Sequence, residues 1–342
     1  MKMTGENTSA NLRSITIITP SFNQGRYLEE CIDSVLSQNY PNLEYLIMDG
    51  GSSDGSVEII RKYEKYLTYW QSQPDGGQYA AIQAGFKRSN GEIMAWLNSD
   101  DKYHANAFFL AAYVFSCNPE IEWLTGRQTI WDKDGQLIGL NPSLQKYSRE
   151  QLMKMRNNAP WMQQESTFWR RSLWERAGSY IRSDLNYAGD YDLWVRFSRY
   201  ATVYSVNALL GGYRIHDGQK AQVMDRYLEE VEAVCREEMS VVASEGIRAI
   251  SNTVSPVEID YPALRNFYHK MLPVGQRLNF SSHQTFAYLQ KERNSLDILA
   301  SSLRVKLEEL SKGKISVKQF TKSLFWRLTA PLRKLFNLLG SL

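Results

Sequence analysis

Across the first hundred residues, apolar β-branched runs alternate with stretches whose apolar residues recur at three- and four-residue steps. That alternation constrains the fold more than any other feature, because it is the pattern of strands joined by crossover helices in a mainly parallel sheet. Residues 15–19 form a first strand stopped by Pro20, and Leu28, Ile32, Val35 and Leu36 mark a helix over 27–38. A second strand at 43–48 leads to a helix over 57–66, with Ser53 or Asp54 as its cap. A short strand near Tyr69 and Trp70 and a helix over 78–88 precede a strand at 92–97.

In such sheets the carboxyl ends of the strands line the ligand crevice. Asp49 stands at one end, Asp75-Gly76-Gly77 follows another, and Asn98-Ser99-Asp100-Asp101 ends the last. That last strand delivers two adjacent carboxylates, which repel each other, to one point. Asp, Asn and Gly are also ordinary turn formers, so each loop taken alone reads more readily as a turn. Polar, glycine-bearing strand ends in succession weigh against that plainer reading.

Beyond residue 105 the pattern is mixed. Runs at 121–131 and 136–140 flank Asp132-Lys133-Asp134-Gly135 as a hairpin, and the aromatic stretch 161–171 precedes a helix from Ser172. Residues 190–199 read as a helix with Leu193, Trp194 and Phe197 on its apolar face, and 201–215 as a strand running into Tyr213-Arg214-Ile215-His216. From about Asp225 the patterns are nearly all helical, which places a boundary near 217–224.

Several classes are excluded. The 43% hydrophobic and 12% aromatic content supports a large core, but no window of about 18 apolar residues suggests a membrane span. The first eleven residues lack a secretory-signal pattern. Cys31, Cys117 and Cys235 are odd in number and form no CxxC, so neither a disulfide framework nor a thiolate zinc site is indicated, and a reducing cytoplasm is expected. The net charge of +3 is uneven: residues 311–342 hold seven Lys or Arg and no acid, whereas residues 1–310 hold 33 basic and 37 acidic side chains. The main domain therefore has no nucleic-acid signature. No GxGxxG or Walker sequence is present.

Five stretches, in order, resemble glycosyltransferase family 2, the inverting enzymes with the GT-A fold: ITPSFNQGRYLEECIDSVLSQNYPNLEYLIMDGGSSDGS, DGGQYAAIQAGFKRSNGEIMAWLNSDD, QQESTFWRRSLWERAG, AGDYDLWVRFS and GGYRIH. Each alone is weak; their joint order and spacing are specific, and they cover roughly residues 13–218. The resemblance implies an α/β GT-A fold, Rossmann-like, with a mixed, mainly parallel central sheet flanked by helices. Residues 1–12 are then a polar N-terminal segment, 13–218 the catalytic domain, 219–310 a mostly helical extension and 311–342 a basic amphipathic tail.

It also implies a nucleotide-diphosphate sugar donor, a glycan or lipid-linked acceptor, and a divalent ion, Mg or Mn, on the diphosphate. Asn98-Ser99-Asp100 occupies the family's Asp-x-Asp position, with Asp100 on the metal and Asp101 on ribose or on the metal through water. Asn98 departs from the pattern by replacing the first carboxylate with an amide. Pro20, Ser21, Asn23 and Asp49 match nucleobase and ribose positions. Asp75 matches a further nucleotide position, or is a turn residue. Asp190 matches the general base in the place of the family's Glu-Asp pair, with Gly189 replacing the Glu; as an alternative it caps its helix. Asp192 faces away from the site. His216 either contacts metal or diphosphate or is a structural surface residue. Gln163, Gln164 and Glu165 fall on the acceptor side. Trp161, Trp169 and Trp194 could stack on a sugar, although core packing suits at least two of them better.

Two other classes stay open: a sugar-phosphate nucleotidyltransferase, which would need a Gly-rich, Lys/Arg-bearing phosphate loop that ITPSFNQGRY does not supply, and a catalytically silent carbohydrate-binding or scaffold protein. In the tail, Phe320, Leu324, Leu328, Leu332, Leu335 and Leu339 recur at helical steps among basic residues. Pro331 marks a kink there. The tail reads as a helix lying on an anionic membrane, which makes the enzyme peripheral on the cytoplasmic face, or as a packing surface for protein.

Overall fold

The computed structural model describes residues 12–272 and 278, apart from 142, 155–160, 218, 220–222 and 246–253. By its contacts the chain divides into two units, Met1–Asn279 and Phe280–Leu342; the description concerns the first. The amphipathic tail lies outside the described residues.

Four parallel strands, β1 (Ile15–Ser21), β2 (Leu43–Asp49), β3 (Tyr69–Ser72) and β4 (Ile93–Trp96), alternate with α1 (Gly25–Leu36), α2 (Ser56–Tyr63) and α3 (Gln78–Lys87). There follow β5 (Lys102–Tyr103), α4 (Ala107–Cys117), β6 (Trp123–Arg127), β7 (Thr129–Trp131), β8 (Leu137–Leu140), α5 (Arg149–Leu152) and β9 (Thr167–Arg170). The remaining elements are α6 (Arg171–Arg176), α7 (Gly189–Phe197), β10 (Tyr204–Leu209), β11 (Gly211–Arg214), α8 (Met224–Glu245) and α9 (Tyr261–Met271). The main sheet runs β10-β6-β9-β4-β1-β2-β3, with β9 antiparallel to both neighbours, and a smaller sheet runs β5-β11-β7-β8. The parallel strands are those the alternation predicts, and the mixed, mainly parallel sheet is the one the family resemblance implies.

Three expectations are corrected. Pro20 does not stop β1, which continues through Ser21 and pairs Pro20 with Met48. The carbonyl of Ile18 points to β4 and that of Ser21 to β2, so the missing N–H of Pro20 faces the β4 side, where β4 has already ended. The run 121–131 is two strands, β6 in the main sheet and β7 in the small one, and 201–215 likewise divides into β10 and β11. A one-residue break does not interrupt an apolar run, so periodicity cannot reveal a change of sheet. The expected hairpin is present, with β7 and β8 antiparallel and Gly135 at φ +77° in the turn.

The caps also differ. Gly55, at φ +92°, takes the cap position of α2, while the Asp54 carboxylate accepts from Ser56 N–H (3.1 Å) and Gly25 N–H (2.8 Å) and so serves two helix starts. Ala188 caps α7, leaving Asp190 inside the first turn.

Trp96, Trp123, Trp169 and Trp194 are nearly or fully buried and pack together, Trp96 stacking on Trp194 with centroids 6.0 Å apart. Trp169 and Trp194 are thus core residues. α4 is apolar all round and covered on nearly every side, as a helix sandwiched within a core must be; Tyr268 of α9 donates to the Phe109 carbonyl (2.8 Å). No helix among the described residues is long and apolar enough to cross a membrane.

Candidate active site

Because β1 to β4 are parallel, their carboxyl ends share one edge. There the loops enclose a cleft of about 820 Å³ whose lining includes Pro20, Ser21, Asp75, Asn98, Ser99, Asp100, Asp101, Gln164, Glu165 and Asp190. Residues scattered over the chain from 20 to 190 therefore meet at one place. The buried Oγ of Ser21 and Oε1 of Gln164 have no hydrogen-bond partner among the described residues, and both belong to residues that line the cleft.

Asp100 faces His216, with Oδ2 and Nε2 3.0 Å apart, and His216 Nδ1 lies 2.8 Å from the Asp217 carbonyl. Both ring nitrogens face acceptors, and the hydrogen bond to Asp100 chiefly raises the imidazole pKa. The same arrangement fits a divalent ion. Adjacent ligands on an octahedral ion with bonds of about 2.1 Å also lie about 3.0 Å apart, and an outward Nδ1–H to a carbonyl is the usual orienting bond of a ligating imidazole. Among the described residues no group of three or more His, Cys, Asp or Glu is placed to hold a metal, so an ion bound by this pair would draw its other ligands from substrate and water.

Asn98 uses both ends of its amide: Nδ2 donates to Asp101 (3.3 Å) and Oδ1 accepts from Gln78 (2.7 Å). A carboxylate in its place would lose the donor and add charge beside Asp101, a local reason for the departure from Asp-x-Asp. Asp101 is buried, accepts from Arg214 N–H (2.7 Å) and is hydrogen-bonded to Glu165. Burial is the first cause that pushes both acids upward, and it disfavours the charged form of each.

Asp190 lies in the first turn of α7 and accepts from Tyr191 N–H (2.8 Å). Its carboxyl is raised to about 6, first by burial, against the lowering effect of that hydrogen bond, with the charge of Glu230 adding to the rise. Gly189 is needed here: an added Cβ would sit 2.8 Å from the ring of Tyr79. The ring of Tyr79 thus occupies the space a side chain at position 189 would need. Asp192 is paired with Arg196 (2.8 Å) away from the cleft, as expected.

Three candidates present their side chains elsewhere. Asp49 is fully buried and accepts from Gly51 N–H (3.1 Å), Ser52 N–H (2.9 Å) and the hydroxyls of Ser52 (2.6 Å) and Ser72 (2.7 Å). It shapes the wall formed by Gly50 and Gly51 rather than facing the cleft. Asn23 ties the loops after β1 and β2, donating its N–H to Ser52 Oγ (2.8 Å) and accepting from Ser53 N–H (2.9 Å). Gln163 pairs its amide with the backbone of Thr129 (2.9 and 2.7 Å), a strap between β7 and the segment before β9. No local pattern in the sequence reveals which way such a side chain turns.

Residues 16–171 match the family described as Glycosyl transferase family 2. An uncharacterized glycosyltransferase of Rickettsia typhi is 31% identical over 224 residues, covering 64% of this chain and 70% of that one. A second, from Rickettsia prowazekii, is 30% identical over 222 residues (64% and 69%). The chain belongs to glycosyltransferase family 2. The crystal structure of S. aureus TarS with UDP-GlcNAc has the same fold, with a TM-score of 0.53 at 17% identity, over 70% of this chain and 68% of that one. The transferase is therefore a GT-A protein, and its cleft sits at the strand edge where that fold places ligands. The region matched to the family ends before Asp190 and His216, so their roles rest on geometry.

The sequence reading missed Tyr79, Tyr227 and Gln219, which also line the cleft, and Arg214 and Glu230 behind it. Arg214 stood inside the quoted GGYRIH stretch; Glu230 had no signal at all. The strap assignment is testable: Gln163→Ala should cost about 1–3 kcal/mol by leaving the Thr129 backbone groups unpaired, with acceptor KM unmoved. A raised acceptor KM at unchanged urea midpoint would restore the acceptor-side reading.

Proposed function

We propose that this transferase moves a sugar from a nucleotide-diphosphate sugar to a hydroxyl of a glycan or lipid-linked acceptor, with inversion and with metal assistance. The observation that carries the reading is the content of the cleft. Asp75, Asp100, Asp101, Glu165 and Asp190 line it, and no Lys or Arg is among its described lining residues. A diphosphate entering such a place meets like charge, and a cation must accompany it. Asp100 and His216 are the residues to hold it. Magnesium or manganese bound there supplies positive charge against the departing diphosphate.

Asp190 then acts as general base. Its carboxylate takes the proton of the acceptor hydroxyl while that oxygen bonds to the anomeric carbon, and the bond from that carbon to the diphosphate oxygen breaks on the opposite face. Pro20, Ser21, Asp75 and Ser99 border the donor. Gln164 and Glu165 border the acceptor, and Trp161, 41% exposed at the cleft, offers a ring face to a sugar. A nucleotidyltransferase lacks support, since no Lys or Arg stands among the described residues that line the cleft. A silent scaffold is excluded by any metal-dependent hydrolysis of a nucleotide-sugar.

Asp190→Asn should lower kcat on the order of 10² to 10⁴ while leaving donor affinity within a few-fold. A base must be ionised, so wild-type kcat should be flat above pH about 6 and fall as pH drops through it. A mutant within a few-fold of wild type sinks the assignment. For the metal, Asp100→Ala should abolish the manganese-dependent gain in nucleoside-diphosphate affinity seen by calorimetry; unchanged affinity refutes the role.

The tail, with seven basic and no acidic residues beyond 310, supports a peripheral place on an anionic membrane, each Lys or Arg adding up to about 1 kcal/mol. Truncation before Lys314 and high salt should each sharply reduce cosedimentation with anionic liposomes. Equal binding by both forms rules the anchor out.

A further inference from the structure

α8 lies beyond the stretches that carry the family resemblance, yet one of its carboxylates holds the loop that leads to Asp190. Glu230 Oε1 accepts from Asn186 N–H (2.9 Å), and Oε2 accepts from Tyr187 N–H and Ala188 N–H (both 2.8 Å). Three consecutive backbone donors thus converge on one side chain, two residues before the carboxyl that faces the cleft. No side chain caps α7 locally, so an anion from α8 fills that place against the positive end of the helix. On the other side of the loop Tyr79 donates to the Tyr187 carbonyl (2.9 Å), and its ring bars any side chain at Gly189.

The far end of α7 is held by the same helix. Glu238, eight residues further along α8, binds Arg149 (2.5 Å) and Arg199, and Arg149 donates to the Val195 carbonyl (3.1 Å) and Ser198 Oγ (2.6 Å). Eight residues span about 12 Å of helix, close to the length of α7. α8 therefore clamps α7 at both ends, and only the Glu230 end abuts the cleft.

We propose that Glu230 is a positioning residue for Asp190, fixing the place of its carboxylate through the three loop N–H groups it holds; this rests on Asp190 being the base. The groups facing Asp190 are Glu165 before β9, Tyr79 of α3, and Tyr227 and Glu230 of α8, with the Tyr191 N–H on its own helix. Of these, Glu230 is the carboxylate that also fixes the loop. Its charge adds to the upward displacement that burial imposes on Asp190, so neutralising it moves the acid limb of kcat to lower pH.

The test uses the full chain with Glu230→Gln, Glu230→Ala and, as a control on the other clamp, Glu238→Gln. The amide keeps the shape of Glu230 but turns one end from acceptor to donor against the loop N–H groups. Expected for Glu230→Gln is a kcat loss of roughly 10- to 100-fold, donor KM within about two-fold, and the acid limb at lower pH. Glu230→Ala should lose at least as much, and if it does not fold, Glu230→Gln decides. Glu238→Gln should lower thermal stability without moving the limb. A Glu230→Gln enzyme with an unmoved limb, or with the same profile as Glu238→Gln, overturns the proposal. An active Asp190→Asn overturns the base itself, an outcome separate from any result at position 230.

Discussion

The buried Arg214 is the joint on which the site depends. It sits on β11 of the small sheet, and its N–H binds Asp101, its Nε the Asp100 carbonyl (2.5 Å) and its guanidinium Glu30 (2.6 Å). A guanidinium only 1% exposed is tolerable only with its hydrogen bonds and charge matched. Matching them fixes the loop after β4 against the small sheet. The guanidinium also lies over the ring of Tyr27 (5.0 Å), which packs against His216 (4.4 Å). His216, two residues beyond Arg214, is thereby delivered to Asp100.

Around that joint the protein concentrates acids that a stability-driven design would avoid. Asp101 and Glu165 are buried against each other, and burial drives both toward the neutral form. Asp190 is raised by burial as well, yet it retains the Tyr191 N–H. Several buried acids displaced upward within one cleft are a common mark of chemistry rather than of folding. The stability comes from elsewhere: the Trp96, Trp123, Trp169 and Trp194 cluster and the enclosed α4 lie behind the strands whose ends carry the charge.

What the sequence determined by itself is the order and identity of the parts. Strand and helix patterns from Ile15 to Trp96 follow from local periodicity, and so does the edge at which Ser21, Asp75, Asn98 and Asp100 emerge, because parallel strands must share it. The hairpin was legible from Asp134-Gly135 in its turn, and the burial of Trp194 from its place on the apolar face of its helix. Only the tertiary structure decided what depends on partners distant in the chain. It divided 121–131 and 201–215 between two sheets, since a strand's sheet is set by its neighbours and not by its own residues. It turned Asp49 and Gln163 toward backbone donors and acceptors, because a buried polar group must be paired wherever the nearest partner lies, and it used the exposed Asn23 to tie two loops together. And it brought Glu230, whose helical surroundings announce nothing, to the three N–H groups ahead of Asp190, a contact across some forty residues that no local pattern encodes.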